Sequence, residues 1–250
     1  MKRLINLLAG LVLLCAPLDA KTHVEIAEEN SPAIVAINVL QPDTSTSTGT
    51  GFVVSSDGLI ATSRHVVDQA FYVNVTFNTG VISGPAKTIF QSDQVDLALI
   101  KIDARNLPTV TFADSDYVLP GQPITVIGNP RRLQNTISSG LISQVRKKSD
   151  GVIWHQISAP ISPSSSGSPV FNQDGHVVSM AFSSYKGEGN QNLNFAVPSN
   201  YIIELIRLTG REPALTQDPN VPQNTSLWEK FKAHLSKSWE MTKQLFSRHR

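Results

Sequence analysis

The chain has 250 residues, of which 40% are hydrophobic and 16% charged, and its formal net charge at pH 7 is +1. This balance excludes the strongly basic surface typical of nucleic-acid-binding proteins, and no pair of histidines has the spacing of a metal site. The length fits one large all-β domain or two small ones, and we expect neither a metal nor a cofactor.

Residues 1–20 are predicted to be a secretory signal peptide. A basic start precedes an apolar run, residues 4–14, that is short for a membrane span, and cleavage is expected after Ala20. The only cysteine, Cys15, would leave with this segment. A lipid anchor at Cys15 is the weaker alternative, because Leu14 is bulky where lipoprotein signals carry a small residue. We therefore expect export to a bacterial periplasm or secretion.

Residues 22–31 are predicted to form a short helix with Thr22 as its N-cap, ended by Pro32. From residue 33 to 197 the pattern changes to about a dozen short apolar or alternating runs, as in residues 71–77. Four turn signals separate runs that could pair as hairpins: Asp57-Gly58, Thr79-Gly80, Asp150-Gly151 and Asp174-Gly175. This pattern predicts an all-β sandwich or barrels.

The C-terminal part of the chain changes character twice. A short helix, residues 201–208, is predicted to follow a cap at Pro198-Ser199-Asn200, and residues 211–226 are rich in Pro, Gln and Asn, as in a linker. Residues 227–250 are predicted to form an amphipathic basic helix. Its apolar face would dock on the barrels or on a second copy of the chain, or would bind a membrane surface.

A run of small residues, 161–171, has the composition of a loop that carries a nucleophilic serine. Small side chains let the backbone turn sharply, so that a hydroxyl stands clear while N–H groups converge. Taken alone, the run is better interpreted as an ordinary Ser/Pro-rich loop, because such loops are common. However, His65 and Asp96 lie upstream of it, and a nucleophile, a base and an orienting carboxylate together make an acyl-transfer triad.

Eight blocks resemble trypsin-like serine proteases of the HtrA/Deg type in their order and spacing: residues 48–54, 57–62, 65–67, 96–102, 127–130, 139–143, 161–171 and 194–200. The resemblance covers about residues 30 to 210, and residues 21–210 would be the protease domain. It implies two six-stranded antiparallel barrels of the chymotrypsin-like fold, with the active site between them. The PDZ domains usual in this family have no counterpart in the sequence.

The resemblance also implies a role for each site residue. Ser166 would be the nucleophile, His65 the base and Asp96 the residue that orients the base, while the N–H groups of Ser164 and Ser166 would form the oxyanion hole. Rivals remain for two of these roles: Asp93 for the acid, and Ser165 or Ser168 for the nucleophile. His155 and His176 are interpreted as ordinary barrel or hairpin residues.

Two departures from the family pattern, at Ser164 and Ser165, bear on activity. The family usually has glycine where this chain has Ser164, so the oxyanion hole would be incomplete if Ser164 cannot adopt the required backbone conformation. Ser165 stands where digestive enzymes have an aspartate, which excludes their activation by an ion pair to a freed N-terminus.

The specificity pocket is predicted to be uncharged. Ala159-Pro160-Ile161 lacks the carboxylate needed for cleavage after basic residues, and Ala181 lacks the histidine of glutamyl endopeptidases. Ile161, Phe195 and Ala196 would line a pocket for small or apolar side chains, and residues 192–197 would pair with the substrate backbone.

The sequence therefore predicts an exported serine endopeptidase that acts on unfolded or extended polypeptides. The alternative is a protease-like fold with impaired chemistry that works as a binding or chaperone-like module.

Overall fold

The computed structural model describes residues 20–92, 94–129, 135–184 and 193–216. The predicted signal peptide up to residue 19, the predicted terminal helix 227–250 and most of the predicted linker lie outside the described residues. So does Asp93.

The described residues form three α-helices and thirteen strands. The helices are α1 His23–Asn30, α2 Arg64–Val67 and α3 Ser199–Leu208. The strands are β1 Ile34–Leu40, β2 Thr46–Ser55, β3 Leu59–Ser63, β4 Tyr72–Phe77, β5 Ile82–Ser83, β6 Lys87–Ser92, β7 Leu97–Lys101, β8 Pro123–Gly128, β9 Thr136–Lys147, β10 Ile153–Ile157, β11 Pro169–Phe171, β12 Val177–Ser184 and β13 Asn194–Pro198. All pairings between these strands are antiparallel.

The N-terminal half is a seven-stranded sheet in the order β5-β4-β1-β2-β3-β7-β6. The predicted closed six-stranded first barrel is therefore wrong in detail, because the sheet has one more strand and its two end strands do not pair. Pro85 separates β5 from β6 and has no N–H to donate to a ladder. The chain consequently divides into two short strands there, one paired with β4 and the other with β7.

The C-terminal half is a closed barrel of six strands in the order β10-β13-β12-β11-β8-β9, as predicted. Its interior is an apolar cluster of buried residues that includes Val126, Ile157 and Val170. A second and larger cluster fills the seven-stranded sheet and continues onto the outer face of the barrel, below α3. The two halves therefore pack against each other through one contiguous apolar core, which fixes the position of the cleft between them.

Both predicted helices in the described residues are present. Thr22 caps α1 through a capping box with Glu25, and α1 ends at Asn30, before Pro32. The C-terminal helix begins at Ser199, two residues earlier than predicted, because the hydroxyl of Ser199 donates to the carbonyl oxygen of Ala113 (2.7 Å) instead of capping the helix.

Residues 211–216 run along the surface of the first half. Leu215 forms a bridge with Phe112, and Arg211 binds the carboxylate of Asp57 in the β2–β3 turn at 2.7 Å. This hydrogen bond lowers the pKa of Asp57 to about 2. Within the described ranges, no helix has the length and apolar character needed to cross a membrane.

Candidate active site

The glycines of β2 let α2 approach the sheet. Thr48, Gly49, Thr50 and Gly51 alternate along the strand, so the two glycines share one face and the two threonines the other. A Cβ on Gly49 would lie 2.5 Å from a methyl group of Val66, which is buried. Only glycine therefore allows α2, with its histidine, to lie this close to the strand.

His65 and Asp96 meet through two hydrogen bonds. The Nδ1 atom of His65 lies 2.7 Å from one carboxylate oxygen of Asp96, and the backbone N–H of His65 donates to the other oxygen at 2.9 Å. Asp96 stands at the start of β7 with a positive φ of 48°, a conformation that Asp tolerates better than most residues. The carbonyl oxygen of Asp96 also accepts from the N–H of Arg64, so the turn before β7 is fixed to α2.

The candidate serine lies on a loop that enters between the two halves. Its position is set by Gly167, which has a φ of 89°, and whose absent Cβ would overlap the carbonyl oxygen of Thr50 and lie 2.6 Å from the hydroxyl of Thr62. The loop therefore contacts the end of β3, next to the helix that carries His65. Ser166 is half-buried, and its carbonyl oxygen accepts from the N–H of Thr50 at 2.9 Å.

The hydroxyl of Ser166 is not hydrogen-bonded to His65. Among the described residues, it donates to the carbonyl oxygen of Phe182 at 3.3 Å. The structure thus joins His65 to Asp96 and sets Ser166 on the neighbouring loop, but leaves the third contact unmade. Contacts of this kind are often loose in a free enzyme and tighten when substrate binds.

Ser164 stands where the family usually has glycine, and it adopts the positive φ that glycine tolerates best. Its φ is 73°, in the left-handed region. Within the described residues, the N–H groups of Ser164 and Ser166 have no hydrogen-bond acceptor, whereas the intervening N–H of Ser165 donates to Ser162 and that of Gly167 donates to Ala181. Two unpaired donors on alternate residues are what an oxyanion hole requires.

Two threonines of β2 hold this loop, and sequence reasoning missed both. The hydroxyls of Thr48 and Ser164 are 2.7 Å apart, and the hydroxyl of Thr50 donates to the carbonyl oxygen of Ser164 at 2.8 Å. The same Thr50 hydroxyl accepts from the N–H of Asn129 (3.0 Å), which follows β8. The alternation of Thr and Gly in β2 was the signal that could have found them.

Two of the three predicted pocket residues lie together, and the third does not. Ala196 is buried in the barrel interior, and Ile161 is half-buried against the same cluster. Phe195 points to the other side of β13, as alternation requires, and packs against Trp154 with ring centroids 5.7 Å apart. The prediction that these side chains line one pocket is therefore wrong for Phe195.

The prediction that residues 192–197 pair with the substrate backbone is also wrong. β13 lies between β10 and β12, so both of its backbone edges are occupied by neighbouring strands. The end of β12 is different, because its pairing with β11 ends at Met180 while the strand continues to Ser184. On this part of β12, the carbonyl oxygen of Phe182 accepts from the hydroxyl of Ser166. An extended peptide would find open main-chain groups on β12, not on β13.

The rival residues have structural roles or lie outside the described residues. Ser165 and Ser168 are buried, with 7% and 0% of their surface exposed, so neither can meet a substrate. His155 is buried at 1% exposure, with its Nδ1 atom 2.6 Å from the hydroxyl of Ser179, and burial lowers its pKa to about 4. Burial also lowers the pKa of the half-buried His176. In the described part of the chain, no three His, Cys, Asp or Glu side chains cluster as a metal site would need.

Comparison with known proteins adds independent evidence. A model of the trypsin-like peptidase domain family matches residues 49–180, just over half of the chain. The chain is 39% identical over 156 residues to a "Probable periplasmic serine endoprotease DegP-like" of Chlamydia muridarum, covering 60% of this chain and 31% of that protein. It is 33% identical over 195 residues to "Serine protease HTRA1B" of Danio rerio, covering 73% and 40%. The chain thus spans between 31% and 40% of the length of these curated relatives.

Solved structures are similar over three quarters of the chain. The HtrA-type protease AlgW with tripeptide superposes with a TM-score of 0.68 at 25% identity, covering 74% of this chain and 62% of that chain. The serine endoprotease from Yersinia pestis gives 0.66 at 26% identity, covering 75% and 66%. The fold of the described residues is therefore the chymotrypsin-like fold of HtrA proteases.

Proposed function

This chain belongs to the trypsin-like peptidase domain family, and from that premise we propose that it is a serine endopeptidase that cleaves unfolded or extended polypeptides. The observation that carries the proposal is the double hydrogen bond between His65 and Asp96 beside a glycine-turned loop that presents Ser166. A binding protein would have no need for an imidazole held at two points by one carboxylate.

The chemistry follows from the role of each group. The Oγ atom of Ser166 attacks the carbonyl carbon of the peptide bond, and its proton passes to Nε2 of His65. Asp96 holds the proton on Nδ1 and stabilises the imidazolium. The tetrahedral oxyanion accepts hydrogen bonds from the N–H groups of Ser164 and Ser166, each contributing about 3 kcal/mol in related enzymes. His65 then protonates the leaving amine, and water hydrolyses the acyl-enzyme by the same steps in reverse.

The substrate would bind as an extra strand on β12, where Phe182 approaches Ser166. To reach the chemistry, the serine hydroxyl turns from the carbonyl of Phe182 towards His65. Ile161 and the small Ala196 support a pocket for small or apolar side chains before the cut, since neither offers a charge to a basic or acidic residue. The decapeptide and tripeptide named with AlgW support extended peptide as the ligand class.

We further propose that the chain is exported, with residues 1–20 as its signal peptide. Support comes from the basic and apolar pattern of this segment and from the word periplasmic in the names of relatives. Fusion of residues 1–20 to alkaline phosphatase should give periplasmic activity, and fusion of residues 21–40 should give none. Equal activity from both fusions would refute export by this segment.

A second candidate function rests on one observation. Because the hydroxyl of Ser166 is bound to Phe182 and not to His65, the fold could bind extended peptides at β12 without cleaving them. The two functions differ in one measurable property, which is turnover.

The test uses residues 21–250 and the variants Ser166→Ala and His65→Ala, with casein and a peptide library as substrates. Hydrolysis by the wild type alone supports the peptidase. A fluorophosphonate probe should then label the wild type at Ser166, as read by peptide mass spectrometry. Equal background rates in all three proteins, with peptide binding retained, would establish the binding module instead. Frequent cleavage after Lys or Glu would refute the apolar pocket.

A further inference from the structure

Ser164 occupies a conformation that is unfavourable for its own side chain. A left-handed φ costs a residue with a Cβ about 1–2 kcal/mol, and Ser164 has a φ of 73°. Asn, Asp and Gly tolerate this region better than Ser. Surrounding contacts must therefore hold the residue there.

Ser164 is held at the peptide unit that follows it and at its side chain. The peptide unit that follows it is fixed at two points, since Thr50 donates to its carbonyl oxygen at 2.8 Å and its N–H, on Ser165, donates to Ser162 at 3.0 Å. With this unit fixed, two rotations of Ser164 remain: ψ, about Cα–C, which moves its nitrogen and Cβ together, and φ, about N–Cα, which turns the preceding peptide unit. The Thr48 hydroxyl lies 2.7 Å from the side-chain oxygen of Ser164. It therefore restrains the direction of the Cα–Cβ bond and, with it, ψ and the position of the Ser164 nitrogen.

The value of φ decides where the preceding peptide unit points. This unit carries the N–H of Ser164, which, like the N–H of Ser166, has no acceptor among the described residues. A change to the ordinary negative φ would rotate the unit and turn its N–H away from the place where the oxyanion forms. The hydroxyl of Thr48 opposes that change, because the common conformations at negative φ also require a different ψ, which would swing the side chain of Ser164 away from Thr48.

We propose that Thr48 is a positioning residue for the oxyanion hole, acting through a hydroxyl-to-hydroxyl bond that holds Ser164 in the left-handed conformation. The inference rests on the proposed peptidase function, but it assigns a role to a side chain on the opposite half of the molecule, 116 residues away in the sequence. Thr48 touches no reacting atom. Its effect is on where the donor of Ser164 points.

The proposal predicts coupling between the two positions. Thr48→Val keeps the shape of the side chain and removes the hydroxyl, so we expect kcat to fall about tenfold with KM within about twofold, because the donor matters mainly in the transition state. Thr48→Ser retains the hydroxyl and should restore most of kcat. In a Ser164→Gly background, which needs no partner to reach a positive φ, Thr48→Val should change kcat by less than about twofold relative to Ser164→Gly alone.

The control is Thr46→Val, on the same face of β2 but exposed, which should match the wild type. Affinity for a peptide boronate, which mimics the tetrahedral state, should fall in Thr48→Val as kcat does, while affinity for a non-cleaved product peptide should not. The proposal is overturned if Thr48→Val cleaves as fast as the wild type, or if its loss is the same in the Ser164→Gly background. If the wild type itself does not cleave, the proposed function has failed instead, and the boronate comparison still reports on the donor.

Discussion

Gly167 lies against the carbonyl oxygen of Thr50 so closely that a Cβ on Gly167 would overlap that oxygen. One glycine thus sets how deeply the serine loop enters between the two halves of the molecule. Its φ of 89° adds a second reason why no other residue fits.

Gly167→Ala should therefore displace the loop and reduce kcat/KM by more than about 100-fold, because misplacement by about 1 Å is enough for such a loss. The matched control is Gly151→Ala, at a φ of 88° with no atom within 4 Å of its absent Cβ. That variant isolates the conformational cost, about 1–2 kcal/mol in unfolding free energy, without a collision. Equal stability and activity in the two variants would show that the close approach at Thr50 is unimportant.

Gly49→Ala should lower activity through the helix that carries His65. The new methyl group would stand 2.5 Å from Val66, so α2 must shift away from β2. We expect kcat to fall about tenfold or more. Val66→Ala should restore part of this loss by making room, whereas Val67→Ala, which removes the same atoms from the neighbouring buried residue, should restore none. Equal rescue by both would contradict the contact.

Asp96→Asn should reduce kcat by a factor on the order of 10⁴, since an amide favours the wrong imidazole tautomer while it keeps an oxygen for the backbone N–H of His65. Steady-state kinetics on a peptide substrate would measure this. Asp93→Asn is the matched control, because Asp93 is the rival carboxylate in the sequence. A larger loss in Asp93→Asn would reassign the acid.

Acid should destabilise the fold through His155. Burial lowers its pKa from 6.5 to about 4, so between these values the unfolded chain binds a proton that the folded chain does not. Stability therefore rises with pH across this window and is lost as the pH falls from 6.5 to 4, by up to about 3 kcal/mol.

His155→Gln removes this titration. Urea unfolding at pH 7 and pH 4 should show a smaller loss of stability on acidification in the variant than in the wild type. His176→Gln, at a half-buried histidine, is the control and should leave most of the pH dependence in place. An unchanged pH dependence in His155→Gln would contradict the assignment of a neutral buried imidazole.

Local features of the fold could be predicted well from the sequence. All four predicted turns join adjacent antiparallel strands, and the glycine of each has a positive φ. In β4, Val73, Val75 and Phe77 are buried in alternation, as predicted, but Phe71, which began the predicted run, precedes the strand and is exposed. These features depend on residues a few positions apart, so the sequence contains the whole cause.

The sequence proposed the members of the candidate site, whose roles stay predictions, but it did not predict their geometry. The order of His65, Asp96 and Ser166 named the residues, and the structure brings the first two within hydrogen-bond distance. The sequence did not indicate that the hydroxyl of Ser166 would turn to Phe182, because that choice depends on how β12 passes the loop.

By itself, the sequence determined the strand content, the turns and the residue types that acyl transfer requires, because periodicity and turn chemistry act over short separations. Only the tertiary structure decided that β13 is enclosed by two strands, that Phe195 faces Trp154, and that Ser164 is held at a positive φ. The physical reason is distance along the chain: Thr48 and Ser164 are 116 residues apart, and such a contact exists only after both halves have folded and met.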